Sequence, residues 1–144
     1  MKENWFPKGL SRRVVGGQTL YAPVVTVPLG EHTLVFVSGL LSRDSQGQIV
    51  GRADMGAQIR QVGENLKVSL EAVGASLDDL VRTCTFVTDI DEFFRHVDVR
   101  QRYLAPALPT STTVQVSRLS DPAFMVEIEA LAVIPTKKLK RETT

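Results

Sequence analysis

Few side chains in this sequence are equipped for chemistry, and their spacing narrows what that chemistry can be. The single cysteine, Cys84, excludes an intrachain disulfide framework and any multi-cysteine metal site. It stands in an apolar, β-branched run with no histidine to act as its base, so it reads as an inert buried thiol. The two histidines lie far apart, His32 in a turn and His96 off the apolar stripe of a helix, and make no persuasive metal site. Carboxylates are better placed. Glu127 and Glu129 alternate with apolar residues near the end of the chain, and on a strand they share one face. Partial burial there raises a carboxyl pKa and suits such a group to proton transfer; pairing with a neighbouring subunit's cation is the competing reading for Glu127 and the leading one for Glu129.

Those residues need a scaffold, and the composition describes an ordinary one. Of 144 residues, 43% are hydrophobic and 23% charged, values of a soluble single domain whose core spans about residues 20–135. A net charge of +1 gives no electrostatic reason to expect nucleic acid or an anionic membrane as partner. No run approaches the roughly 18 apolar residues of a membrane span. Met1 to Leu10 lacks the apolar core of a signal peptide, so the expected location is cytoplasmic. The tail 136–144, with Lys137, Lys138, Lys140 and Arg141 ahead of Thr143-Thr144, reads as a solvated, frayed terminus.

Leu20 to Leu29 reads as one arm of a hairpin and Thr33 to Ser38 as the other, closed by Gly39. Leu40 to Arg52 is a polar loop. Met55, Ile59, Val62, Leu66, Leu70 and Val73 then recur at steps of three and four, an apolar stripe on a helix with Asp54 as its amino-terminal cap and Gly74 just past its end. Gly63, mid-helix, signals close packing. A strand follows over Leu80 to Thr88, and a second helix over Asp91 to Leu104 with Phe93, Val97 and Leu104 inward. The closing strands are Ser111 to Ser117 and Met125 to Ile134. This order gives an α+β fold with two helices on one face of a mixed sheet. Val126, Ile128, Ala130, Ala132 and Ile134 point to the helices; Leu131 and Val133 point away, an apolar face that calls for a subunit partner.

Four segments in this order resemble the Rid/YjgF family. Leu34 to Gly39 is similar to its second strand, ending in Ser-Gly, and Gln58 to Lys67 to its first helix. Gly74 to Thr83 with Phe86 to Asp89 resembles its third-strand signature, and Val126 to Val133 its last strand. The resemblance implies a chorismate-mutase-like fold: a mixed six-stranded sheet with two helices on one face, and a homotrimeric barrel with small-ligand pockets between subunits. It implies hydrolysis of reactive enamines and imines, such as 2-aminoacrylate, to ketoacids and ammonia, with no metal or organic cofactor. Glu127 matches the glutamate that positions the attacking water. Tyr21 matches an aromatic lining the pocket, with core packing as the competing reading. Ser38-Gly39 matches the pocket's backbone approach to an oxyanion, with strand termination as the alternative, and Thr113 stands at a position often held by cysteine.

The chain departs from the family at the group that grips substrate. Where a Pro-x-Arg segment supplies a carboxylate-binding arginine, this sequence reads Pro109-Thr110-Ser111-Thr112-Thr113-Val114, so Ser111 stands at the arginine position. A guanidinium forks onto a carboxylate with two charge-assisted bonds, whereas a hydroxyl offers one neutral bond worth about 1 kcal/mol. Arg43, in the loop after Ser38-Gly39, is the preferred substitute cation; Arg100 and Arg118 read as surface residues. Trp5 and Phe6 precede the resemblance, with a clamp on a neighbouring subunit as their one suggested role. Two readings follow: an imine or enamine deaminase of altered specificity, or a non-catalytic metabolite- or partner-binding module. Ribonuclease chemistry is the weakest, since no basic-aromatic strip is present.

Overall fold

The computed structural model describes residues 1–141. In chain order the strands and helices are β1 (Glu3–Trp5), β2 (Val14–Val15), β3 (Gln18–Thr19), β4 (Val24–Leu29), β5 (His32–Leu40), α1 (Met55–Ala72), β6 (Leu80–Val87), α2 (Ile90–Arg95), α3 (Val97–Leu104), β7 (Thr110–Gln115) and β8 (Val126–Pro135). Six strands form one mixed sheet in the order β1-β4-β5-β8-β6-β7, with β6 and β7 its parallel pair; β2 and β3 form a separate hairpin. Among the described residues no helix is long and apolar enough to cross a membrane.

The apolar stripe of α1 is buried as the periodicity requires, from Met55 through Ile59, Val62, Leu66 and Leu70 to Val73. The Asp54 carboxylate accepts from the Ala57 amide at 3.0 Å, and Gly74 takes the left-handed conformation with φ 90°. A Cβ at Gly63 would fall 2.5 Å from the Tyr103 ring, which explains the small residue at mid-helix. On β8 the even-numbered residues Val126 to Ile134 are buried against the helices and the odd-numbered ones face the open side. That open side also carries Phe36, 44% exposed, beside Leu131.

Several expectations need correction, among them that His32 lies in a turn: it opens β5, paired with Pro135. The second helix is two: the chain leaves helical geometry at His96 (φ −112°, ψ 24°). Phe93, Val99 and Leu104 are the buried residues, at a spacing no continuous helix brings to one face; the break restores the phase and leaves Val97 40% exposed. Trp5 needs no neighbouring subunit. It is buried in its own chain on β1, paired with β4, and its indole N–H donates to Thr26 Oγ1 at 2.8 Å. Cys84 is only half-buried, on the open face of β6. The basic tail is ordered over its first residues: Leu139 packs on the core, the Lys140 amide bonds Val73 O, and Lys140 Nζ donates to Glu71 O at 2.7 Å. These bonds occupy carbonyls that the end of α1 leaves free. Thr143 and Thr144 lie outside the described residues.

Candidate functional site

Strand β5 does not end at Gly39. It runs on to Leu40, but between the pairs Val37–Ala130 and Leu40–Ile128 it has two residues, Ser38 and Gly39, where β8 has only Glu129. This bulge shifts the alternation so that Val37 and Leu40 both face the core, and it turns the backbone beside Glu127. A Cβ on Gly39 would stand 2.5 Å from Glu127 Oε1, so a glycine is what lets the carboxylate lie against the strand.

Ser38 secures the neighbouring wall. Its hydroxyl donates to Ala22 O at 2.7 Å and its amide donates to Pro23 O at 2.9 Å, which holds the segment bearing Tyr21 against the bulge. The loop after β5 is equally well held. Ser42 Oγ donates to Val50 O at 2.7 Å, and Asp44 Oδ1 accepts the amides of Gln46 and Gln48. From α1, the buried Asn65 donates to Leu41 O at 3.1 Å and to Arg43 O at 2.9 Å. Arg43 is thereby presented by a fixed backbone, its Nη1 donating to Gly47 O at 2.8 Å and its guanidinium carbon 4.8 Å from the Phe124 ring centre.

These elements border an open cleft of about 520 Å³ lined by Tyr21, Ser38, Arg43 and Glu127, together with Arg12 and Arg13. Burial, and then the charge of Glu129, push the Glu127 carboxyl above the usual carboxylate range. Burial, and then Glu127, raise the Tyr21 hydroxyl, against the pull of Arg13 and Arg43. A half-buried carboxyl of raised pKa beside a phenol and cations has the means to accept and return a proton next to a bound anion.

Of the residues singled out from the sequence, Tyr21, Ser38, Gly39, Arg43 and Glu127 come together here. Ser111 and Thr113 do not line this cavity. They lie on β7, an edge strand, in register with Thr83 and Thr85, and Ser111 Oγ accepts from Arg100 Nη2 at 3.1 Å. Arg12 and Arg13 were not foreseen. The signal was present in Val14-Val15-Gly16-Gly17-Gln18-Thr19, a two-residue Gly-Gly turn between β-prone pairs, with both glycines at positive φ (57° and 78°).

The fold and the site together define a sheet-and-helix domain with a carboxylate-bearing cleft beside a β-bulge, and the comparisons name its family. The profile described as Endoribonuclease L-PSP matches residues 18–134. Protein DfrA of Myxococcus xanthus is 39% identical over 113 residues, 78% of this chain and 84% of that protein. A putative endoribonuclease from Thermotoga maritima is 32% identical with a TM-score of 0.78, covering 93% of this chain and 98% of that one. The structure of Escherichia coli TdcF with bound serine is 30% identical with a TM-score of 0.72, covering 91% and 97%. The chain belongs to this Endoribonuclease L-PSP, or Rid/YjgF, family.

Proposed function

We propose that the protein is a homotrimer that hydrolyses a small imine or enamine in clefts between its subunits, with a specificity altered by Ser111. The observation that carries this reading is Glu127: a half-buried carboxyl of raised pKa, lodged against Gly39 in a cavity shared with Tyr21 and Arg43. Ionised Glu127 takes a proton from water as the oxygen attacks the imine carbon, and the C=N electron pair moves to nitrogen. Glu127 then returns the proton to that nitrogen, giving a carbinolamine. As the C–N bond breaks, the hydroxyl proton leaves with nitrogen, so imine and water become a carbonyl compound and ammonia. An enamine joins this route once a proton has moved from nitrogen to its β-carbon. The trimer is supported by the open sheet face, where Phe36 and Leu131 need cover, and by β7, an edge strand from which Ser111 and Thr113 can reach a neighbour's cleft.

The test is release of ammonia and ketoacid from 2-aminoacrylate generated in situ, with light scattering to give the subunit count. Wild type accelerates hydrolysis and Glu127→Gln loses at least about a hundredfold, the usual range for removing a positioned acid–base group. Equal rates in wild type and variant would exclude Glu127 from the chemistry. No acceleration at all would leave the family pocket as a binding site.

A further inference from the structure

The family profile begins at residue 18, yet part of the cleft wall comes from before it. The Gly16-Gly17 turn folds β2 onto β3, and the Leu20 amide donates to Arg13 O at 3.0 Å, which brings Arg13 beside the segment carrying Tyr21. Arg12 is anchored, its guanidinium carbon 4.4 Å from the Phe6 ring centre. The cavity lining thus holds three arginines, Arg12, Arg13 and Arg43, against one carboxylate, Glu127, and stays net positive even with that carboxylate ionised. The two arginines that act on Tyr21 differ. Arg43 spends one nitrogen on Gly47 O and lays its guanidinium on Phe124, so it offers a fixed charge rather than a whole fork. Arg13 takes part in none of the ion pairs among the described residues, and its planar fork matches a carboxylate.

We propose that the amino-terminal hairpin is a specificity element: Arg13 grips the carboxylate of the cleft's ligand, and Arg43 adds a second, fixed positive charge. The cation absent at Ser111 is thus replaced from a different part of the chain. Naming that ligand as the imine of a 2-oxo acid rests on the imine-hydrolysis reading; anion capture by Arg13 rests on the cavity alone.

Calorimetric titration with 2-oxobutanoate and with its uncharged methyl ester separates the two. Wild type binds the acid more tightly than the ester. Arg13→Gln weakens the acid about tenfold and leaves the ester unchanged, as loss of one charge-assisted fork requires. Arg102→Gln, on the exposed face of α3, serves as the charge control and binds like wild type. Wild-type affinity in Arg13→Gln overturns the proposal, as does a wild type that fails to bind the acid or to prefer it. Hydrolysis of 2-aminoacrylate with no effect of Arg13→Gln on binding sinks this inference alone. Loss of acid binding in Arg13→Gln, in a protein that hydrolyses no imine, sinks only the hydrolysis reading.

Discussion

The Glu127 carboxylate occupies the space that a side chain on Gly39 would need: a Cβ there would lie 2.5 Å from Oε1 and 2.9 Å from the carboxyl carbon. The obstructed atoms are the far end of a flexible side chain, so Glu127 can swing aside without moving either strand. Gly39→Ala is therefore expected to shift stability by less than about 1 kcal/mol. Turnover should fall roughly ten- to a hundredfold, because an ångström-scale displacement of a proton-transfer group is enough for that. Paired thermal melts and rate measurements check this. A large loss of stability with the rate per folded molecule intact would mean that the glycine serves the bulge and not the carboxylate.

The raised pKa of Glu127 has consequences of definite sign. Between the ordinary carboxylate range and the folded value, the folded chain holds a proton that the unfolded chain has released, so stability falls as pH rises through that window. Glu127→Gln removes this dependence, and its stability relative to wild type should climb across the window and then level off. Glu129 is the second cause of the shift, after burial. Glu129→Gln should therefore move the rising limb of the pH–rate profile to lower pH. A limb that stays in place would assign it to another group.

Much of this architecture is legible in the sequence because it follows from periodicity. The three-and-four spacing of Met55 to Val73 and the alternation of Val126 to Ile134 are repeated often enough that no single residue decides them. The bulge at Ser38-Gly39 is a break in alternation, visible only once the partner strand is known. The three residues of β1 are too short to carry a pattern, and Trp5 is buried by a strand that begins at Val24, far along the chain. The end of α2 is set by the need to bury both Phe93 and Val99, a tertiary demand that overrides local helix preference. Glu127 and Tyr21 can be proposed from the sequence by resemblance, and Arg43 from its place in the loop after Ser38-Gly39. Arg13 joins them through a turn that had to be recognised first.

Ser111 is not a simple vacancy. Arg100 reaches across from α3 to donate to its hydroxyl at 3.1 Å, and burial lowers the pKa of that guanidinium. Restoring an arginine at Ser111 alone sets two guanidiniums against each other. Ser111→Arg is expected to change KM for 2-aminoacrylate little, whereas Ser111→Arg with Arg100→Gln lowers it by about tenfold, the value of one unopposed fork. Steady-state kinetics on both variants decides the matter. An equal gain in the single variant would show that Arg100 moves away at no cost.

The amino terminus bears on stability through one bond. Trp5 is 5% exposed, and its indole N–H supplies the partner for the fully buried Thr26 hydroxyl at 2.8 Å. Trp5→Phe keeps an aromatic body but leaves that hydroxyl buried without its donor, a loss of about 1–3 kcal/mol. Thr26→Val removes the stranded hydroxyl. The pair Trp5→Phe/Thr26→Val is therefore expected to recover about 1 kcal/mol over Trp5→Phe alone, since apolar groups of similar shape replace both partners. Urea unfolding at a fixed protomer concentration measures the cycle, because assembly would otherwise shift apparent stability by mass action. Strict additivity of the two substitutions would mean that Trp5 stabilises β1 by packing alone, with the hydrogen bond contributing nothing net.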